Sequence, residues 1–453
     1  MTKPNDTGTT TRRGFLQKGG SLAASATMLG GAAPAVHAAE NNTIRLALIG
    51  CGGRGRGAVA NALRTKDQGP IKLYATGDLE ASKSELAVRV LSKEFPDQVD
   101  VPKERQFLGF DSHKKAIDSL RPGDVAMCTT RSYIRPVHVE YAVKKGINVF
   151  MEKEFAPDPM GSHRMLRAAE AAEKNGVKIL AGLQCRHSPA RHAMVDRINS
   201  GAMGELSYIR ANRLTGRRWL RKLDRPLEKL VDQYKYCKAH LLWADSGYMI
   251  GMLIHQIDEC CWLMDDWPVS CRGMGGREAG SDDRSQNLHT YSMEYTFPNG
   301  KKAFCGFRGV LDGHDEFATY VHCSKQAGQF SGNIHKATVH AYKDQRIDSK
   351  NIVWTPTPDT KNPWDLEWIA FINSIRNNKP HNEGKRAVMA NYAALMGRAA
   401  VHYNNIVTWD EVVNSKFQFC DYLDDLSYDS PAPVQPDENG FFPAPIAGKW
   451  KEL

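Results

Sequence analysis

Ile44-Arg45-Leu46-Ala47-Leu48-Ile49-Gly50-Cys51-Gly52-Gly53-Arg54-Gly55 decides the reading of this chain. The first half is a run of branched apolar residues that reads as a buried strand. The glycines then spell G-x-G-x-x-G at the entry to a helix. Gly50 allows a sharp turn, Gly52 lets a pyrophosphate approach the backbone, and Gly55 lets helix and strand pack closely. The helix start offers unpaired N–H groups to phosphates. Asp78, at the end of the next apolar run, can accept hydrogen bonds from an adenosine ribose and would repel the extra phosphate of NADP. Arg54 can offset that repulsion, so NAD is expected, with NADP as the alternative. A glycine-rich turn without nucleotide is the plain rival reading, and the strand, helix and acid in sequence weigh against it.

Outward from the loop, short apolar runs alternate with helical patterns. Strands are expected at 44–49, 72–76, 125–129, 148–151 and 177–183, and helices at 58–64, 80–94, 113–120, 136–145 and 160–174. Such alternation predicts a parallel sheet with helices on both faces. After Gln184 the pattern changes. Helices are expected at 189–200 and 248–263, and an irregular excursion over the substrate site at 217–243. Strands at 204–214 and six later runs between 270 and 342 predict an open, mostly antiparallel sheet. Two more helices follow, at 365–377 and 385–404. The expected class is α/β. A nucleotide-binding Rossmann domain (40–183) precedes an α/β substrate and oligomerisation domain (184–429) and an extended, proline-rich tail (430–453).

The amino terminus carries Thr11-Arg12-Arg13-Gly14-Phe15-Leu16-Gln17-Lys18, a weakly apolar run, and Val36-His37-Ala38-Ala39, where small residues suit a peptidase. Residues 1–39 therefore read as a twin-arginine signal. The expected partner is the twin-arginine translocase, which carries folded proteins, and the expected place of work is the periplasm. No later run is long and apolar enough to anchor the chain in a membrane. The net charge of +9 comes from cations interleaved with acids, so no nucleic-acid stripe is read. The ten cysteines show no metal spacing and mostly sit in apolar contexts, which predicts buried free thiols and no metal centre.

Two further segments carry a resemblance: Met151-Glu152-Lys153-Glu154 after the fourth-to-fifth strand unit, and Gly251-Met252-Leu253-Ile254-His255-Gln256-Ile257-Asp258 on a helix. With the glycine loop, they make the chain resemble the Gfo/Idh/MocA oxidoreductases, and within them exported members of the glucose–fructose oxidoreductase-like and planctomycete types. The resemblance implies a nicotinamide cofactor, a sugar or cyclitol substrate, and an open sheet that packs face to face in a homo-oligomer, dimer or tetramer. By position it implies Lys153 and His255 as catalytic residues. A lysine ammonium can stabilise a developing alkoxide, and an imidazole can carry the proton.

The sequence departs from the family twice. Glu154 replaces the proline after the lysine, and Gly251 replaces the acid one helical turn before the histidine. Asp258, Asp245, Tyr248 and Glu152 are candidate substitutes. Cofactor contacts are expected from Gly50, Gly52, Gly53, Arg54, Gly55, Asp78, Thr129, Glu152 and Lys153, and substrate contacts from Arg186, His187 and Tyr248. Arg135, His138 and Gln184 also lie near the expected nicotinamide edge. Three functions follow: an NAD(P)-dependent sugar or cyclitol oxidoreductase with tightly held cofactor, an NAD-dependent glycosidase using transient oxidation and elimination, or a non-catalytic sugar-binding relative.

Overall fold

The computed structural model describes residues 42–332 and 337–453. The 1–39 leader and its arginine pair lie outside the described residues. The first half forms β1 (Ile44–Ile49), α1 (Gly53–Leu63), β2 (Ile71–Asp78), α2 (Ala81–Glu94), β3 (Gln106–Leu108), α3 (Ser112–Asp118), β4 (Val125–Cys128), α4 (Arg135–Lys144), β5 (Asn148–Met151), α5 (Pro159–Lys174) and β6 (Ile179–Ala181). The six strands are all parallel, in the order β3-β2-β1-β4-β5-β6. The chain runs to one side of β1 and then returns to the other, which leaves a crevice at the carboxyl ends of β1 and β4. Register makes that edge level: Ile49 pairs with both Gly77 and Cys128, Cys128 with Met151, and Met151 with Ala181. Gly50, Asp78, Thr129 and Glu152 therefore emerge side by side.

The second half begins with α6 (Pro189–Asn199) and β7 (Leu206–Thr215). It continues through α7 (Leu230–Cys237), α8 (Leu242–Asp245) and α9 (Tyr248–Met264) to β8 (Ser270–Gly276), β9 (Thr290–Thr296), β10 (Lys302–Gly309), β11 (Glu316–Cys323), β12 (Ala327–Ser331), β13 (His340–Tyr342) and β14 (Ile352–Trp354). The chain ends with α10 (Pro363–Arg376), α11 (Gly384–Tyr403), β15 (Val407–Thr408) and α12 (Trp409–Asn414). The nine strands form one sheet in the order β14-β13-β12-β11-β7-β10-β9-β8-β15, antiparallel except at β7–β10. This is the expected α/β class, with a Rossmann-type sheet followed by an open, mostly antiparallel one.

α9 and α11 cover one face of the larger sheet, burying Leu253, Ile257, Val388 and Leu395. α10 crosses back to the first sheet. Its Trp368, Phe371 and Ile372 complete the core built by Ile44, Leu46, Val59 and Leu63.

The 217–243 excursion is more regular than its polar sequence predicts. Leu230, Gln233 and Cys237 recur at helical spacing and are buried, which makes α7 a one-sided helix. With Leu220, Leu227, Leu241 and Trp243 they form a separate core against Tyr133, Ile134 and Val137 of the nucleotide half. The tail, 430–453, holds no helix or strand. It is pinned by the Leu230 N–H to Ser430 O bond (2.9 Å) and by Glu452, which is fully buried against Arg398 and His402, both at 3.1 Å. The short edge strands β3, β14 and β15 have no predicted counterpart, because two or three residues are too few to show alternation. All ten cysteines are buried free thiols.

Candidate active site

The glycine loop is held from beneath. Gly50 adopts φ +92°, and a Cβ there would meet Thr130 N at 2.8 Å. A Cβ on Gly55 would stand 2.4 Å from Gly50 O. Gly52 differs: nothing lies within 4 Å of its missing Cβ. It precedes α1 with no side-chain cap, so the first N–H groups of the helix face the crevice unclaimed by a side chain. Asp78 ties the loop to β2, accepting from Cys51 N (2.7 Å) and Glu80 N (3.0 Å), with lone pairs left over. The crevice is a cavity of about 370 Å³ that runs from Gly52 and Asp78 to Lys153, Glu154 and Asp245. This cradle fits a dinucleotide: an open glycine backbone, a helix start and an acid with spare lone pairs share one cavity.

At the other end stands Lys153, just past β5. Its Nζ lies 3.1 Å from Glu154 Oε1 and donates to the carbonyl of Gly251 on α9. The two family departures meet here. A Cβ on Gly251 would lie 3.0 Å from Glu154 Oε1, so the Glu154 carboxylate fills the space a side chain at 251 would use. None of the four candidate substitutes occupies it; the residue that replaces the family proline does. Burial disfavours charge on Glu154, but Lys153, the backbone, Arg135 and Arg131 outweigh it and hold the carboxyl low.

His255, one turn further along α9, is buried and does not line the cavity. Its Nδ1 has no hydrogen-bond partner. Burial and then the Lys153 charge drive it down to about 3, so the imidazole is neutral. Lys153 and His255 are thus neighbours, as the resemblance implies, but no side chain orients the imidazole.

Asp245 closes α8 and lines the same cavity as Lys153. Its Oδ2 accepts from Arg131 at 2.6 Å, and its Oδ1 has no partner. The Ser246 backbone at φ 58° turns the chain sharply after it, fixed by Ser246 Oγ to Ser132 Oγ at 3.0 Å. Arg135 is buried in the same wall, with Nε and Nη1 unpartnered. Tyr234 and Lys238, from the excursion, form the outer wall beside Asp78. A smaller cavity of about 30 Å³ adjoins there, between Asp78, Phe110, Tyr133, His138 and Tyr234.

Several expected site residues have other employment. The Thr129 hydroxyl is spent on Ile49 O (3.1 Å) and Gly50 O (2.7 Å), so it shapes the loop. Arg54 pairs with Glu152 at 2.5 Å and leans over Trp364. Arg186 forms a two-pronged pair with Asp258, both arms at 2.9 Å, and lines a different cavity. His187 sits 3.0 Å from Glu383, and the Tyr248 hydroxyl donates to Gly216 O at 3.1 Å. Arg186, His187 and Tyr248, the expected substrate contacts, do not line this cavity: Asp258, Glu383 and the Gly216 carbonyl engage them. Arg131, Glu154 and Tyr234 are lining residues that sequence patterning passed over. For Glu154 a signal existed, because two anomalies of opposite sense fell at 154 and 251.

The architecture is that of Gfo/Idh/MocA-type structures. The chain is similar to the aldose–aldose oxidoreductase of Caulobacter crescentus, with a TM-score of 0.63, 14% identity, and 81% of this chain and 99% of that one covered. It is similar also to myo-inositol 2-dehydrogenase of Lactobacillus plantarum (TM-score 0.59, 17% identity, 81% and 99% covered). A third is the UDP-N-acetylglucosamine 3-dehydrogenase of Acidithiobacillus ferrooxidans (TM-score 0.57, 17% identity, 79% and 98% covered). No protein-family model and no curated protein sequence matches the chain.

Proposed function

We propose that this chain is a nicotinamide-dinucleotide-dependent oxidoreductase of a sugar or cyclitol. The observation that carries the reading is the single cavity joining the open Gly52 backbone and Asp78 to the Lys153–Glu154 pair. The oxidoreductases of the same fold act, by their names, on aldoses, an inositol and a nucleotide sugar, which supports the substrate class. Gly52 and the start of α1 would hold the pyrophosphate, and Asp78 the adenosine ribose. Asp78 favours NAD, because its carboxylate would repel the extra phosphate of NADP. When bound, the dinucleotide supplies a hydride acceptor. Lys153, fixed by Glu154 and the Gly251 carbonyl, would stabilise negative charge on a carbinol oxygen.

Tyr234 and Lys238 reach over the nucleotide end from a separately packed core, which supports a retained cofactor. Retention also favours a second reading, glycoside cleavage through transient oxidation, in which no net redox change occurs. Mass spectrometry of the supernatant after denaturing the purified chain tests the first point: NAD is expected, and its absence, with no binding of added NAD, refutes the reading. Cofactor reduction by free sugars then supports the oxidoreductase, and aglycone release from chromogenic glycosides without added NAD supports the second.

We further propose export through the twin-arginine route, tested by loss of export in an Arg12→Lys/Arg13→Lys variant. Pairing of two copies through the larger sheet is supported by exposed Tyr208, Phe304 and Met274 on β7, β10 and β8. Sedimentation velocity would report a monomer if this is wrong.

A further inference from the structure

The site poses a proton problem that the lysine and histidine leave open. Oxidising a carbinol breaks a C–H and an O–H bond and makes a C=O π bond. The hydrogen on carbon leaves with its electron pair to an oxidised nicotinamide, and the hydroxyl proton needs a separate acceptor. Lys153 is already occupied by Glu154 Oε1 and the Gly251 carbonyl. His255 lies off the cavity, one helical turn behind Gly251. Glu154 is engaged by Lys153 and held ionised by it, which makes it a weak base.

Asp245 has the missing properties. It lines the cavity and is only 7% exposed. One oxygen is anchored by Arg131 at 2.6 Å, while the other is buried and has no hydrogen-bond partner among the described residues. Its backbone is fixed by the following turn at Ser246. A buried carboxylate oxygen left without a donor is costly, and such groups persist where a ligand supplies the missing bond.

On the dinucleotide-dependent reading above, we infer that Asp245 is the proton acceptor: its carboxylate, which lines the cavity, takes the substrate hydroxyl proton while Lys153 steadies the oxygen. Arg131, bound to Oδ2, orients the carboxylate and accompanies its change of charge. The groups facing Asp245 are Arg131, Lys153, Glu154, Arg135, Tyr234 and Lys238. Burial first, and the Glu154 charge second, raise its carboxyl to about 6 against the pull of Arg131 and Lys153. Two acids of one site pushed apart, Glu154 down and Asp245 up, divide the work between holding the lysine and moving the proton.

The test uses the NAD-loaded full chain with myo-inositol and D-glucose as probes, following absorbance of reduced nicotinamide from pH 4.5 to 9. Wild type is expected to lose kcat/KM as pH falls through about 6. Asp245→Asn is expected to lose the limb and about 100-fold or more in rate. His255→Asn is expected to keep the limb. An Asp245→Asn variant that retains the limb, or loses less than about 10-fold, overturns the inference.

A second measurement stands without turnover. Carbon-13 NMR of chain labelled at aspartate Cγ, with Asp245 assigned by the Asn or Glu variant, should show a midpoint of about 6 that moves when NAD is added. A midpoint below about 5, or one indifferent to NAD, overturns it. If neither sugar reduces the cofactor while the NMR midpoint responds to NAD, the substrate assignment fails and the place of Asp245 survives.

Discussion

Gly52 and Gly55 stand three residues apart in one loop, yet their substitution by alanine should give opposite phenotypes. At Gly55 the added Cβ would lie 2.4 Å from Gly50 O, 2.6 Å from Thr129 Oγ1 and 3.1 Å from Leu48 Cδ1. Ordinary carbon–oxygen contacts sit near 3.3–3.6 Å, so backbone must move by about 1 Å. Overpacking of this kind costs about 1–3 kcal/mol, and the upper end applies because the first obstacle is a carbonyl in the turn itself. At Gly52 the added Cβ meets nothing within 4 Å, and φ −69° with ψ 179° suits alanine. The nucleotide-free chain should be as stable or gain about 0.4–1 kcal/mol through a stiffer unfolded state. Nucleotide affinity should nonetheless fall, because the methyl occupies the approach to the helix N–H groups. Loss of one charge-assisted bond, about 1.5–3 kcal/mol, corresponds to a roughly 10- to 150-fold weaker Kd. Thermal melts without nucleotide and fluorescence titration with NADH separate the effects. A Gly52→Ala chain that binds NADH like wild type would refute the proposed pyrophosphate cradle, and a Gly55→Ala chain that melts like wild type would refute the packing account.

Further tests probe the rest of the site. Gly251→Asp should bury a second carboxylate against Glu154 and cost about 3 kcal/mol or more. Glu154→Pro in the same chain should recover much of that loss, read as non-additivity in urea melts. Asp78→Ala removes the acceptor for Cys51 N and Glu80 N. It should weaken NAD more than NADP, shifting their Kd ratio about 10-fold. Glu452 is desolvated, but Arg398, His402 and Trp450 hold its carboxyl down from 4.5 to about 2. At about 1.4 kcal/mol per pH unit this corresponds to about 3 kcal/mol. The group is depressed in the fold, so the contribution is complete above pH 4.5 and is lost as pH falls toward 2. Glu452→Gln should lower stability by a similar amount at pH 7 and flatten the acid limb of the unfolding curve.

The nucleotide end was readable from residues 44–78 because its parts are local: a strand, a turn that needs glycine, a helix start and an acid on the adjacent strand. The same holds for both sheets, whose longer strands carry their alternation in the sequence. The excursion was less readable, since α7 buries its face against Tyr133 and Ile134, about a hundred residues earlier. Only the fold reveals that a polar, aromatic stretch has an inside. The pairing of Arg186 and His187 was hidden for a related reason. A cation just past a strand end resembles a ligand contact until Asp258 and Glu383 are seen to claim it.

The positions 154 and 251 show where sequence reasoning stops and what replaces it. Read along the chain, a missing proline and a missing acid are two losses, each counting against catalysis. In space they are one exchange. The carboxylate that α9 does not provide arrives from the loop after β5, on the residue next to the lysine it serves, and the glycine makes room for it. Moving the acid from helix to loop has a consequence for His255. A carboxylate one turn away on α9 could face the imidazole, but one whose Oε1 meets Lys153 Nζ is committed to the amine. The histidine is left neutral, with Nδ1 unbonded, and it lies off the cavity. The exchange keeps an acid beside the lysine and leaves the histidine off the cavity, so on the proposed function the base is sought among the other groups that line it.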